Sequence, residues 1–166
     1  MAMTATQTMH QTKIDIDENN RRQLVELLNH HLADTFDLYS QSKQAHWNVK
    51  GMDFYALHKL FDDVAEAVEP FVDTVAERVT ALGGTAQGTL RMAAEASSLP
   101  EYPADLDSGE AHIRALVDRF SAYAKRCREG ISRSEELGDM TTADLFTEIS
   151  RAVDLKLYFL ESHLQG

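Results

Sequence analysis

Residues 46–78 read HWNVKGMDFYALHKLFDDVAEAVEPFVDTVAER, and the spacing of the histidines and acids inside this stretch decides how the chain is read. His58 and Asp62 are four residues apart, as are Asp73 and Glu77, so on an α-helix each pair lies on one face and offers two ligand atoms to one metal ion. The eleven-residue step from Asp62 to Asp73 is close to three full turns, which puts all four side chains on a single stripe. One chain cannot close that stripe around one ion. Eleven residues rise about 16 Å, whereas metal–ligand bonds are about 2.0–2.6 Å. An antiparallel second copy across a two-fold axis would set His58 and Asp62 of one chain against Asp73 and Glu77 of the other, an isologous interface. His46, beyond the turn residues Asn48, Gly51 and Asp53, would approach from the end of a preceding helix. The same spacing also fits a solvated helix face, and spacing alone does not separate the two readings.

The surrounding pattern predicts a four-helix bundle. Asp17 is placed to cap a first helix running to about Trp47, with Leu24, Leu27, Leu28, Leu32, Phe36 and Tyr39 as its apolar stripe. A second helix is expected from about Asp53 to Leu82, stopped by Gly83 and Gly84 and crossing Pro70, where the lost backbone bond to Glu66 predicts a kink. Residues 83–106 carry Gly, Ser and two of the three prolines, with room for a short helix over 89–97; this connection is long enough to cross the length of a bundle. A third helix is expected over 107–137 and a fourth over 142–163, with Thr141 as cap and Asp144 as its capping-box partner. The fold class is therefore all-α and ferritin-like, with residues 17–166 as a single domain and residues 1–16 as a flexible arm. His30 and His31 read as structural or surface residues, His112 as a surface residue, His10 as a solvated residue of the arm rather than a weak metal contact, His163 as part of a fraying helix end, and Cys127 as a small residue packed against a helix.

Charge narrows the partners. A formal net charge of −11 disfavours nucleic acid and anionic lipid and favours cations. Between Phe61 and Glu77 there are six acids and no base, a segment that repels itself unless cations occupy it. The lone cysteine excludes an internal disulfide framework, and no stretch approaches 18 apolar residues, so the expected location is the cytoplasm, away from membranes. Di-iron ferritins carry Glu-x-x-His inside the bundle, but none of the seven histidines here has a Glu three residues before it.

The run HWNVKGMDFYALHKLFDD, continued by DTVAERVTALGG and later by GDMTTADLF, strongly resembles the Dps family of miniferritins over nearly the whole chain. The resemblance implies a hollow homododecamer and a ferroxidase centre shared by two-fold-related subunits, with His46, His58 and Asp62 from one chain and Asp73 and Glu77 from its mate. It further implies Fe(II) oxidation, preferentially by hydrogen peroxide, and storage of Fe(III) oxide, which protects DNA; imidazole and carboxylate suit iron, with zinc or manganese as competitors. Trp47 beside His46 becomes a candidate electron donor, its other reading being an apolar anchor. Asp139, Asp144 and Glu148 match acids lining a three-fold entry pore; by themselves they read as acids favoured near a helix N-terminus. Some relatives bind DNA through lysine-rich tails. This chain has no such tail, so direct DNA binding, the alternative role of a nucleoid-compacting stress protein, is disfavoured.

Overall fold

The structure, a computed structural model, describes residues 8–166. Helix α1 spans Glu18–Asn48, α2 Phe54–Ala81, α3 Leu90–Ala96, α4 Gly109–Glu136 and α5 Met140–Ser162, with no strand among the described residues. The long helices pack as two hairpins, α1 on α2 and α4 on α5, and α1–α4 and α2–α5 contacts join them into a four-helix bundle. The crossover between α2 and α4 carries α3 against α1.

The apolar stripes become one core. Leu24, Leu28, Leu32, Leu38, Phe61, Val64, Val75, Leu116, Phe120, Phe146 and Ile149 are buried within it. Helix α2 continues through Pro70, as the unbroken periodicity requires. Both helix stops at glycine are Schellman closures. Gly83 (φ +92°) is followed by the Gly84 amide bonding Val79 O at 3.0 Å, and Gly138 (φ +77°) by the Asp139 amide bonding Ser134 O at 2.9 Å.

Three expectations change. Residues 1–7 lie outside the described residues, but residues 8–16 lie against the body rather than forming a free arm. The His10 amide donates to Gly83 O at 2.7 Å, and Arg21 donates to Ile16 O at 3.1 Å and Leu82 O at 2.8 Å. Met9, Ile14 and Ile16 supply the apolar contacts that no periodic pattern announced.

The N-cap of α5 is Asp139, two residues before the expected Thr141, because the left-handed Gly138 frees Asp139 to accept from the Thr142 amide at 2.9 Å. Finally, His112 is buried rather than on the surface. It faces Phe61 of α2 and bonds Tyr102 of the crossover, a non-local partner that helical spacing does not reveal.

The crossover is held by buried polar groups. Asp34 accepts from the Ser98 amide at 2.7 Å and from Arg126 at 2.6 Å, and Arg119 donates to Gln41 at 2.9 Å and to Glu101 O at 2.6 Å. Cys127 is buried and free, with its sulfur 3.7 Å from His31 Nε2.

Candidate metal centre

The end of α1 and the first turns of α2 meet where His46 and His58 stack, ring centroids 3.8 Å apart. Each imidazole is oriented by the other residue's backbone. His46 Nδ1 lies 2.7 Å from His58 O, and His58 Nδ1 lies 2.8 Å from His46 O. A carbonyl only accepts, so both Nδ1 atoms carry a proton, and in the neutral form of each ring the lone pair is on Nε2. This is the outer-shell arrangement that readies a histidine for a metal.

Asp62, one turn beyond His58, brings Oδ1 within 3.9 Å of His46 Nδ1. Lys43, three residues before His46 and so on the same side of α1, donates to that oxygen at 2.6 Å. This bond holds the Asp62 carboxyl below the usual carboxylate range and raises the Lys43 ammonium above its ordinary value. Lys43 is the member of the site that sequence reading missed. Its position one turn before His46 was visible, but a single lysine on a long helix carries no signal of its own.

His46, His58 and Asp62 are thus brought together within one chain. Asp73 and Glu77 are not: both sit exposed on α2, roughly three turns further along the helix. Among the described residues no group of three or more His, Cys, Asp or Glu within this single chain is placed to hold a metal ion, His46, His58 and Asp62 included. Beside Asp73, the α1/α2 face holds a hollow of about 370 Å³ lined mainly by Leu32, Phe36, Tyr39, Val72 and Ala76. Trp47 is 61% exposed, with the Lys43 ammonium 5.9 Å from its ring, so it is not an anchor of this chain's core.

The three acids matched to an entry pore separate. Asp144 and Glu148 are exposed one turn apart on α5. Asp139 is buried; it accepts from Arg78 at 2.9 and 2.8 Å and from the Thr142 amide and hydroxyl. Burial pushes its carboxyl up, but the Thr142 and Arg78 bonds outweigh that and hold it below the usual range.

Comparison with known proteins agrees with this architecture. The ferritin-like domain family matches residues 25–166. A DNA protection during starvation protein of Agrobacterium fabrum is 43% identical over 156 residues, covering 94% of this chain and 96% of the relative. DpsC from Streptomyces coelicolor superposes with a TM-score of 0.92 at 32% identity, covering 100% of this chain and 97% of that one. A Dps protein from Vibrio cholerae, described as a member of a broad superfamily of ferritin-like diiron-carboxylate proteins, superposes with a TM-score of 0.87 at 25% identity, covering 95% and 99%. The chain belongs to the ferritin-like proteins and, within them, to the Dps family of miniferritin-type iron-storage proteins. Among the described residues, no helix is long and apolar enough to cross a membrane.

Proposed function

We propose that this protein is a cytoplasmic ferroxidase and iron store that oxidises Fe(II), preferentially with hydrogen peroxide, at a site completed by a second copy of the chain. The observation that carries this reading is the reciprocal tethering of His46 and His58 through their Nδ1 atoms, with the Asp62 carboxylate beside His46. Asp73 and Glu77, too distant in one chain, are supplied by the two-fold mate. The apolar hollow beside Asp73 and the exposed Leu90 and Met92 supply surface for that contact.

Imidazole and carboxylate bind Fe(II) and also hold the harder Fe(III) product, and zinc or manganese would compete for the same ligands. Two Fe(II) give one electron each to one hydrogen peroxide, which takes up two protons and leaves as two waters, so no hydroxyl radical is released. A cation approaching Asp62 has to displace the Lys43 ammonium or share the oxygen with it, which makes that side of the site the weaker one. Asp144 and Glu148 are the exposed acids of an entry route in a dodecamer, and Asp139 fixes the start of their helix. Ferric oxide then accumulates in the hollow interior, and removing Fe(II) and peroxide together protects DNA. With a formal charge of −11 per chain, that protection does not require the protein to touch DNA.

The test is anaerobic Fe(II) loading followed by stoichiometric hydrogen peroxide, recording ferric oxide absorbance and hydroxyl-radical trapping together. Wild type should oxidise iron rapidly with little radical, and the His58→Ala/Asp62→Ala double variant should lose that oxidation. Equal oxidation in both proteins would end the assignment.

A further inference from the structure

Tyr102 and His112 form a pair that the ferroxidase chemistry does not use. The Tyr102 hydroxyl lies 2.6 Å from His112 Nδ1, with the two rings stacked at 6.0 Å between centroids. His112 is buried, and burial alone lowers its pKa, so the ring is neutral near pH 7. With its proton on Nε2, a neutral imidazole accepts the phenolic hydrogen at Nδ1. Tyr102 has the opposite tendency. Burial raises its pKa, only partly offset by Arg119, so the phenol does not ionise by itself. The Arg119 guanidinium, 5.8 Å from the Tyr102 ring, disfavours any further positive charge on that ring. An electron can therefore leave Tyr102 only if its proton moves at the same time, and His112 is positioned to take it.

The pair also connects to the metal centre. His112 faces the Phe61 ring at 6.2 Å between centroids, and Phe61 directly precedes Asp62 on α2. On the other side, His58 is one turn before Phe61 and stacks on His46. Phe61, one helical turn from His58 and next to Asp62, thus leads to His112 and Tyr102 with ring centroids 6.2 and 6.0 Å apart. At its far end Tyr102 lines a cleft of about 580 Å³ between α1, α3 and the crossover, which gives solutes a way to reach it. Tyr123 makes an instructive contrast: it is fully buried, and its hydroxyl meets Thr35 Oγ1 at 2.7 Å, an alcohol that cannot take up a proton.

We propose that Tyr102 and His112 act together as a proton-coupled electron donor that supplies the missing electron when peroxide meets a site holding only one Fe(II). Peroxide needs two electrons, and two protons taken from solvent, to become two waters. One electron comes from Fe(II). The other comes from Tyr102, whose O–H bond breaks, leaving a neutral tyrosyl radical while the proton forms an N–H bond at His112 Nδ1. A later Fe(II), or a thiol reaching the cleft, returns the electron, and His112 returns the proton. The one-electron oxidant that would otherwise escape as hydroxyl radical is consumed inside the protein.

This rests on the ferroxidase reading, so the test has two arms, both on the full assembled protein. In the first, protein loaded anaerobically with one Fe(II) per site is mixed with peroxide and freeze-quenched for electron paramagnetic resonance. A tyrosyl signal with an exchangeable proton coupling is expected, which Tyr102→Phe abolishes and His112→Asn weakens. Its persistence in Tyr102→Phe while iron is oxidised would overturn the proposal. The second arm uses iron-free Trp47→Phe protein, oxidised by a flash-generated ruthenium(III) tris-bipyridyl complex. Tyrosyl formation that depends on Tyr102 and slows in D2O is expected. A yield indifferent to Tyr102→Phe, or a rate unchanged in D2O, would refute the pair. If iron is not oxidised at all, the ferroxidase reading fails, and this second arm decides the Tyr102–His112 proposal on its own.

Discussion

Replacing Asp139 by alanine removes a carboxylate that does two jobs, and the cost of each can be worked separately. As N-cap of α5 it accepts from the Thr142 amide at 2.9 Å, and loss of such a cap costs about 1 kcal/mol. As the partner of Arg78 it neutralises a guanidinium whose side chain is only 15% exposed. Stranding one member of a buried pair costs about 3–5 kcal/mol; the residual exposure of Arg78 favours the lower end, about 3 kcal/mol. The sum, about 4 kcal/mol, at roughly 2–4 °C per kcal/mol for a chain of this size, lowers the melting temperature by roughly 8–16 °C.

Asp139→Asn keeps the cap and loses the charge, so its loss should be intermediate. The carboxyl is held below its ordinary value in the folded state, so its contribution is full above the unfolded pKa of about 3.9 and disappears as pH falls through the folded value. The gap between wild type and Asp139→Asn should therefore close under acid. Calorimetry of the assembled protein at fixed concentration is the assay. If Asp139→Ala melts with the wild type while iron uptake slows, the Arg78 pair is worth little, and Asp139 belongs to the entry route after all.

Lys43→Gln removes the cation that competes at Asp62; a partly exposed ion pair is worth about 0.4–1 kcal/mol, so Fe(II) should bind roughly two- to fivefold more tightly. Anaerobic titration calorimetry checks this, and unchanged or weaker binding would mean that Lys43 does not compete. His31, buried against Tyr123 and Phe146, has its pKa lowered to about 4 by desolvation, with Asp34 opposing weakly. Its neutral form is favoured in the fold, so stability is full above about pH 6.5 and falls by up to about 1.4 kcal/mol per unit toward pH 4. His112, also lowered by burial, adds the same sign. His31→Phe should flatten the melting temperature over that range, and a slope equal to wild type would refute the assignment.

Much of this molecule was legible along the chain because helices write their faces locally. The four-residue recurrence of Leu24, Leu28 and Leu32 marked a buried stripe, Gly83 and Gly138 marked the stops, and the four- and eleven-residue spacing around His58 and Asp62 marked a shared face. The inability of that face to close on one ion followed from rise per residue alone. What depended on chain segments far apart in sequence was not legible. The reciprocal bonds between His46 and His58 join two helices across a turn, and Lys43 becomes part of the site only because α2 sets Asp62 beside it. Asp139 changes from a plausible surface acid to a buried cap because Arg78, 61 residues earlier, reaches it. His112 likewise left the surface because the crossover folds Tyr102 onto it while Phe61 closes the other side. Periodicity determined which faces are apolar and where the candidate metal ligands align. Only the tertiary structure decided which polar groups meet, since the partner of a buried polar group is set by how distant segments pack, not by its place in the chain.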